Sequence, residues 1–195
     1  MSLYLSMAAF ALASSISPGP VNIVALNSGA RHGLRASLKH VTGATAGFTV
    51  LLVLTGLGLH ELLDLWPGLT EAIRWAGVVF LLYLAWRLAR DNGQLGQGDN
   101  SPPPSFGYGA LMQWLNPKAW LACVAGMGAF VADGDAGLIG RFALIYFVVC
   151  YLSIACWAWA GSFIREYLRK ASSVRLFNRL LALLLAGCAA YLMLE

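Results

Sequence analysis

Lys118 asks more of its surroundings than any other residue in this sequence. It sits within residues 107–131, GYGALMQWLNPKAWLACVAGMGAFV, an apolar stretch long enough to cross a membrane, with Gln113, Asn116 and Pro117 beside it. A charge and a helix breaker inside such a stretch are costly and are usually kept for a purpose. About ten residues of span precede Lys118, roughly 15 Å of helical rise and close to mid-depth. An ammonium there can attract a carboxylate, from a substrate or from the protein itself. The bland alternative is a lysine that snorkels to the cytoplasmic face on its long stem. Asn116 offers both a donor and an acceptor, and Gln113 lies one turn before Pro117 on nearly the same side. As bland alternatives, both amides serve as glue between helices.

A second interruption falls early in the chain. Ser17-Pro18-Gly19-Pro20 is followed by Asn22, and Ile23-Val24-Ala25-Leu26 then continues the apolar run. Two prolines around a glycine free backbone carbonyls, which must find partners in protein or a wet cavity. A half-helix starting after Pro20 presents free N–H groups to an anion, with Asn22 in its first turn. An α-amino acid would suit such a place. Its carboxylate would meet N–H groups and Lys118, and its ammonium would meet asparagine oxygens and open carbonyls. The candidate substrate-binding residues are therefore Pro18, Gly19, Pro20, Asn22, Gln113, Asn116, Pro117 and Lys118. The competing account of residues 17–20 is a kink at the membrane boundary. Ser17 by itself suggests packing or backbone capping.

Other chemistries find less support. Glu61, Asp64 and Asp133 look like boundary residues, so no carboxylate stands out as a proton carrier. His40 and His60 titrate in a useful range, although both lie at expected span ends. No G-x-x-x-x-G-K-[ST] is present for ATP, and no H-E-x-x-H for hydrolysis. Cys123, Cys150, Cys156 and Cys188 lie singly in apolar segments without C-x-x-C, which fits core packing. No cofactor and no metal are expected, and the chain does not read as an enzyme. A metal or other cation exporter would want several Asp, His or Cys ligands converging. A membrane enzyme would need a paired nucleophile and base. A non-transporting structural subunit would leave the broken helices packed solid.

These residues must be held by membrane-crossing elements. Of 195 residues, 59% are apolar and 11% charged, with mean hydropathy +0.69. A soluble domain is nearer one quarter charged. Six apolar runs can be drawn, at about 3–26, 41–59, 72–88, 107–131, 138–163 and 180–194. No Lys or Arg precedes Arg31, which argues against a cleaved signal peptide. The net charge of +4 does not point to nucleic acid, because the basic residues fall between the runs. Arg31, Arg35, Lys39, Arg87, Arg90, Arg165, Arg169, Lys170, Arg175 and Arg179 occupy the odd connections, against Arg74 and Arg141 in the even ones. That bias places the odd connections in the cytoplasm and both termini outside.

Six runs divide into two halves of three, residues 1–90 and 107–195, joined by a polar linker at 91–106 within a single membrane domain. Corresponding runs then cross in opposite directions, and the first run of each half carries a proline-bearing break. Paired interruptions of this kind point to a central binding site between inverted repeats. The expected fold is an all-α integral membrane protein with six transmembrane helices in two inverted three-helix repeats. Gly43-x-x-x-Gly47 supplies a small face on which another helix can come close.

With those residues in place, the chain resembles the LysE/RhtB family of amino-acid exporters over essentially its whole length. The matching marks are SPGP with Asn22, Gly29-x-x-x-Gly33, Gly43-x-x-x-Gly47, W-A-G-x-x-x-L-x-Y-L-x-W-R in the third run, and LNPKAW at 115–120. The family commonly reads P-G-P-N, whereas Val21 intervenes here; Phe80 and Ala85 stand where tyrosine and glycine are frequent. The resemblance implies a bacterial inner-membrane protein that exports amino acids or their derivatives on the proton-motive force. WAWAGSFIREYLR looks like the branch exporting cysteine, O-acetylserine or other small neutral amino acids such as threonine and homoserine. The expected partners are an amino-acid substrate, protons and membrane lipid, with no nucleic acid. An apolar face toward lipid and one toward a second subunit read alike, so a homo-oligomer stays open.

Overall fold

Prolines and glycines set the helix ends. The computed structural model describes residues 3–59, 65, 67–92, 102–131, 135–164 and 171–194. Helix α1 (Leu3–Ile16) stops short of Pro18, which has no N–H to extend the ladder. The hydroxyls of Ser14 and Ser17 donate back to the carbonyls of Phe10 and Ser14 there. Helix α2 (Pro20–His32) restarts with proline in its first turn, where a missing N–H is no loss, at 62° to α1. It ends at Gly33, whose φ of 81° favours a residue without a side chain.

Helix α3 (Leu34–Leu54) follows at once and runs into a π-helical turn, Thr55–Leu59. Helix α4 is Pro67–Ala89. Helix α5 (Phe106–Trp114) is capped by Ser105, whose hydroxyl accepts from the Tyr108 N–H at 3.2 Å. Helix α6 (Pro117–Phe130) again opens on a proline. Helix α7 (Ala136–Ile164) is capped by Asp135, which accepts from the Leu138 N–H at 2.6 Å, and α8 is Ala171–Leu194.

Helices α3 and α7 form the middle of the bundle. Helix α7 packs along α1, α2 and α3, α5 packs on α3, and α4 pairs with α8. In lipid, close van der Waals approach has to hold apolar helices together, and glycine permits it. A Cβ on Gly29 would collide with the Ala158 carbonyl, and one on Gly161 with that of Leu26, so α2 and α7 meet backbone to backbone. A Cβ on Gly43 would collide with the Phe106 carbonyl and one on Gly47 with the Ala110 backbone, so the small face at 43–47 receives α5. Phe10, Phe130, Phe142 and Tyr146 meet nearby, and Phe48 stacks on Tyr146 with ring centroids 4.4 Å apart. Leu144, Leu152 and Trp159 of α7 and Leu176, Leu180 and Leu183 of α8 face outward, an apolar surface suited to lipid.

The structure is all-α but overturns the six-helix expectation. Among the described residues, three helices are long and apolar enough to cross a membrane: Leu34–Gly58, Ala136–Ile164 and Ala171–Ala190. The bent pair α1–α2 makes up to four if it counts as one broken span. The expected third span holds a shorter apolar helix, Trp75–Ala89, and the expected fourth is two helices of 9 and 14 residues. The longer of those two reaches about 21 Å, short of a hydrocarbon core of ~30 Å. Hydropathy averages over the break at Leu115 and Asn116, whereas the backbone does not. The arrangement as two inverted repeats of three spans rests on that count and falls with it.

Helix α3 begins at Leu34 rather than near residue 41, so His40 lies inside a helix and not at a span end. His60, Glu61, Asp64, Asp133, Arg165, Arg169 and Lys170 lie outside the described residues, as does most of the 91–106 linker.

Candidate functional site

Each of the two breaks leaves a helix end short of partners. Helix α2 opens on Pro20, so the N–H groups of Val21 and Asn22 have no carbonyl one turn back to bond. Helix α6 opens on Pro117, with Asn116 as the extended residue before it. The fold brings these two places together through Lys118. Its Nζ donates to the Ser17 carbonyl at 2.6 Å, the Ser17 hydroxyl at 2.7 Å and, more weakly, the Pro18 carbonyl at 3.3 Å. The ammonium thus satisfies carbonyls that the prolines leave stranded at the end of α1. Among the described residues no carboxylate pairs with it.

Gly19 makes that approach possible. Its backbone is extended, a conformation open to any residue, so freedom of φ is not the reason for glycine here. A Cβ at this position would stand 3.3 Å from Lys118 Cδ and 3.5 Å from Nζ. Asn22 closes the break from the other side. Its amide Nδ2 donates to the carbonyls of Ser15 and Ser17, both at 2.8 Å. At the second break, Asn116 Nδ2 donates to Gln113 Oε1 at 3.2 Å, while Asn116 Oδ1 is buried without a partner among the described residues. A buried, unsatisfied amide oxygen is ready to accept from a ligand N–H.

A small cavity, about 40 Å³, lies between the breaks. Gly19, Asn22, Gln113, Asn116 and Lys118 line its polar side, and Phe48, Ala119, Ala122, Tyr146, Cys150 and Ile154 its apolar side. Ser14, Ser15 and Val21 complete the wall. It has room for a few waters in this conformation. Among the described residues, no Asp, Glu or His is in the lining.

Five of the eight residues expected to bind substrate therefore share one wall. The three prolines do not line the cavity; Pro20 and Pro117 start helices, and Pro18 is exposed with its carbonyl turned to Lys118. His40 is buried within α3 beside Gly109 and Tyr108, away from the cavity lining, and neither ring nitrogen makes a hydrogen bond among the described residues. Ser17 fills the backbone-capping role expected of it, since its hydroxyl donates to the Ser14 carbonyl, and beyond that both its oxygens accept from Lys118. Tyr146, Phe48 and Cys150 carry no sequence signal that would set them apart from other apolar residues in apolar helices. Of the cysteines, all free, Cys123 and Cys150 are buried and Cys156 is exposed, contrary to its expected place in the core. Among the described residues no group of three His, Cys, Asp or Glu could hold a metal ion.

Spanning helices around a polar cavity, with helix breaks supplying its polar groups, define a multi-pass membrane transport protein. The sequence pattern described as LysE type translocator matches residues 12–195. The chain is also 30% identical over 183 residues to the cysteine/O-acetylserine efflux proteins of Escherichia coli (strain K12) and Shigella sonnei (strain Ss046), covering 92% of this chain and 92% of each relative. No solved structure matches it. The chain belongs to the LysE-type translocator family, and it is a transporter rather than an enzyme.

Proposed function

We propose that this protein exports a small neutral amino acid, of the cysteine and O-acetylserine class, by alternating access at the cavity between the two breaks. One observation carries the reading most: Lys118 has no carboxylate partner among the described residues and is held by neutral oxygens of Ser17 and Pro18. A substrate carboxylate is a stronger acceptor than a neutral carbonyl and can replace Ser17 there. The free N–H groups at the start of α2 add to the same attraction. Asn116 Oδ1, buried and unpaired among the described residues, can accept a hydrogen bond from the substrate ammonium. Phe48, Ala119, Ala122, Tyr146 and Cys150 suit a short side chain. Among the described residues the cavity lining has no carboxylate to balance a second positive charge, which disfavours lysine or arginine as cargo.

The cavity is too small for an amino acid in this conformation, so binding must part the two breaks. Exchange of the Ser17–Lys118 bonds for substrate–Lys118 bonds is the step that loosens them. Export is driven in this proposal by protons moving inward, as an antiport. His40 is the candidate among the described residues to carry them. Arg31, Arg87, Arg90 and Arg175 gather at one end of the bundle, which supports a cytoplasmic position for that end in an inner membrane, with both termini on the opposite side. The halves 1–90 and 107–195 each contribute one break to the cavity, with residues 91–106 joining them in a single domain.

The test is uptake of labelled cysteine and O-acetylserine into inside-out vesicles with an acid lumen. Uptake above empty vesicles, inhibited by excess unlabelled substrate and abolished by collapse of the pH gradient, is the expected result. Transport that ignores the gradient would remove the coupling, and no uptake across a panel of amino acids would remove the substrate class.

A further inference from the structure

A second and larger cavity, about 680 Å³, opens between α2, α4, the Pro102–104 segment and α5. Its chemistry is unlike that of the central one. Arg31, Arg87 and Arg90 line it, and Asp91 is the carboxylate among its lining residues. Asp91 is taken up by an ion pair with Arg31. Arg87 and Arg90 have no carboxylate partner among the described residues. They rest instead on aromatic rings of α4, the Arg90 guanidinium 4.8 Å from the Trp86 centroid and that of Arg87 5.9 Å from Tyr83. Arg175 of α8 adds charge beside the cavity by donating to the Asn92 carbonyl at 3.3 Å. Positive charge from α2, from the end of α4 and from α8 thus converges on one opening.

An apolar track leads to this opening. Val79, Leu82, Tyr83 and Trp86 of α4 are all exposed, and their spacing puts them on one helix face. That face runs up to Arg87 and Arg90. Two guanidinium groups above a lipid-facing stripe, with aromatic rings at the boundary, match a molecule that is anionic at one end and hydrocarbon at the other. Arginine grips phosphate oxygens through paired N–H groups.

We propose that this cavity binds the phosphate headgroup of an anionic phospholipid, with the acyl chains lying along the outer face of α4. A free phosphate would use the same guanidinium groups and gain nothing from the apolar track. The site is independent of the export reading, since none of its charged residues lines the central cavity.

The full chain in nanodiscs or detergent, examined by native mass spectrometry, provides the test. Phosphatidylglycerol should remain bound in preference to phosphatidylcholine. Arg87→Gln and Arg90→Gln should each lower that preference by about fivefold, and the pair by roughly 25-fold. Both side chains are exposed, so the variants should elute as folded protein. The control is Arg35→Gln with Lys39→Gln, which removes two exposed charges of α3 outside the cavity and should leave the preference within about twofold. An equal loss in the control would reduce the effect to general surface charge and overturn the site. So would equal retention of the two lipids by the unaltered protein. If glycerol phosphate displaced phosphatidylglycerol at equal concentration, the ligand would be a free anion and the lipid assignment would be wrong.

Discussion

The Lys118 ammonium lies 2.6 Å from the carbonyl oxygen of Ser17 and 2.7 Å from its hydroxyl, across a separation of 101 residues. This contact ties the start of α6 to the end of α1. Because the acceptors are neutral, the contact is weaker than a salt bridge, so under the proposed mechanism a substrate carboxylate can displace it.

Lys118→Met keeps the length of the side chain and removes its charge. Loss of a charge-assisted hydrogen bond to substrate corresponds to about a 10- to 100-fold fall in uptake. Ser17→Ala should cost about fivefold at most, since the carbonyl acceptor remains. Initial rates in inside-out vesicles, normalised to folded protein by size-exclusion chromatography, check both. Wild-type rates in Lys118→Met would take Lys118 out of the binding site.

Asn22 is expected to matter for stability as well as flux. Its Nδ2 satisfies the carbonyls of Ser15 and Ser17, so Asn22→Leu leaves both without that donor and should destabilise by about 1–3 kcal/mol. Asn22→Asp also removes the donor and adds a negative charge beside two carbonyl oxygens, so it should be worse. Thermal unfolding in detergent orders the three proteins, and asparagine must come out the most stable.

The glycines separate packing from site effects. Gly161→Ala forces a methyl against the Leu26 backbone, which cannot swing aside, and should cost about 1–3 kcal/mol or more. Gly19→Ala meets only the flexible end of Lys118 and should lower uptake with little change in melting temperature. Gly128→Ala meets nothing within 4 Å and should change neither quantity. A loss of stability in Gly19→Ala matching that of Gly161→Ala would contradict this division.

Cys150 lines the central cavity, which makes it a reporter of opening. In a variant with Cys123, Cys156 and Cys188 replaced, a small methanethiosulfonate reagent should react with it slowly and cysteine-sized substrate should protect it. Lys118→Met should speed the reaction by loosening the contact with Ser17. Labelling unaffected by either change would mean that the thiol does not report on the site.

Local stereochemistry explains what was legible in the chain alone. Pro20 and Pro117 announce helix starts because proline fits a first turn and disrupts an interior, and Gly43 and Gly47 announce close contact because they carry no side chain. Lys118, Asn22, Asn116 and Gln113 stand out because polar groups are rare in apolar helices. These are properties of single residues and their neighbours. The partner of Lys118 is of another kind. Ser17 looks like any serine at a helix end, and only the packing of α1 against α6 turns its oxygens toward an ammonium 101 residues away. Tyr146, Phe48 and Cys150 are likewise apolar residues in apolar helices until the meeting of α3 and α7 gives them a cavity to line. The number of spans was beyond a hydropathy reading for a related reason. An average over 107–131 joins α5 to α6, while the backbone parts at Leu115 and Asn116 because proline cannot continue the ladder. Composition determined that this chain is helical and belongs in lipid; tertiary contact decided where its helices end and which side chains face one another.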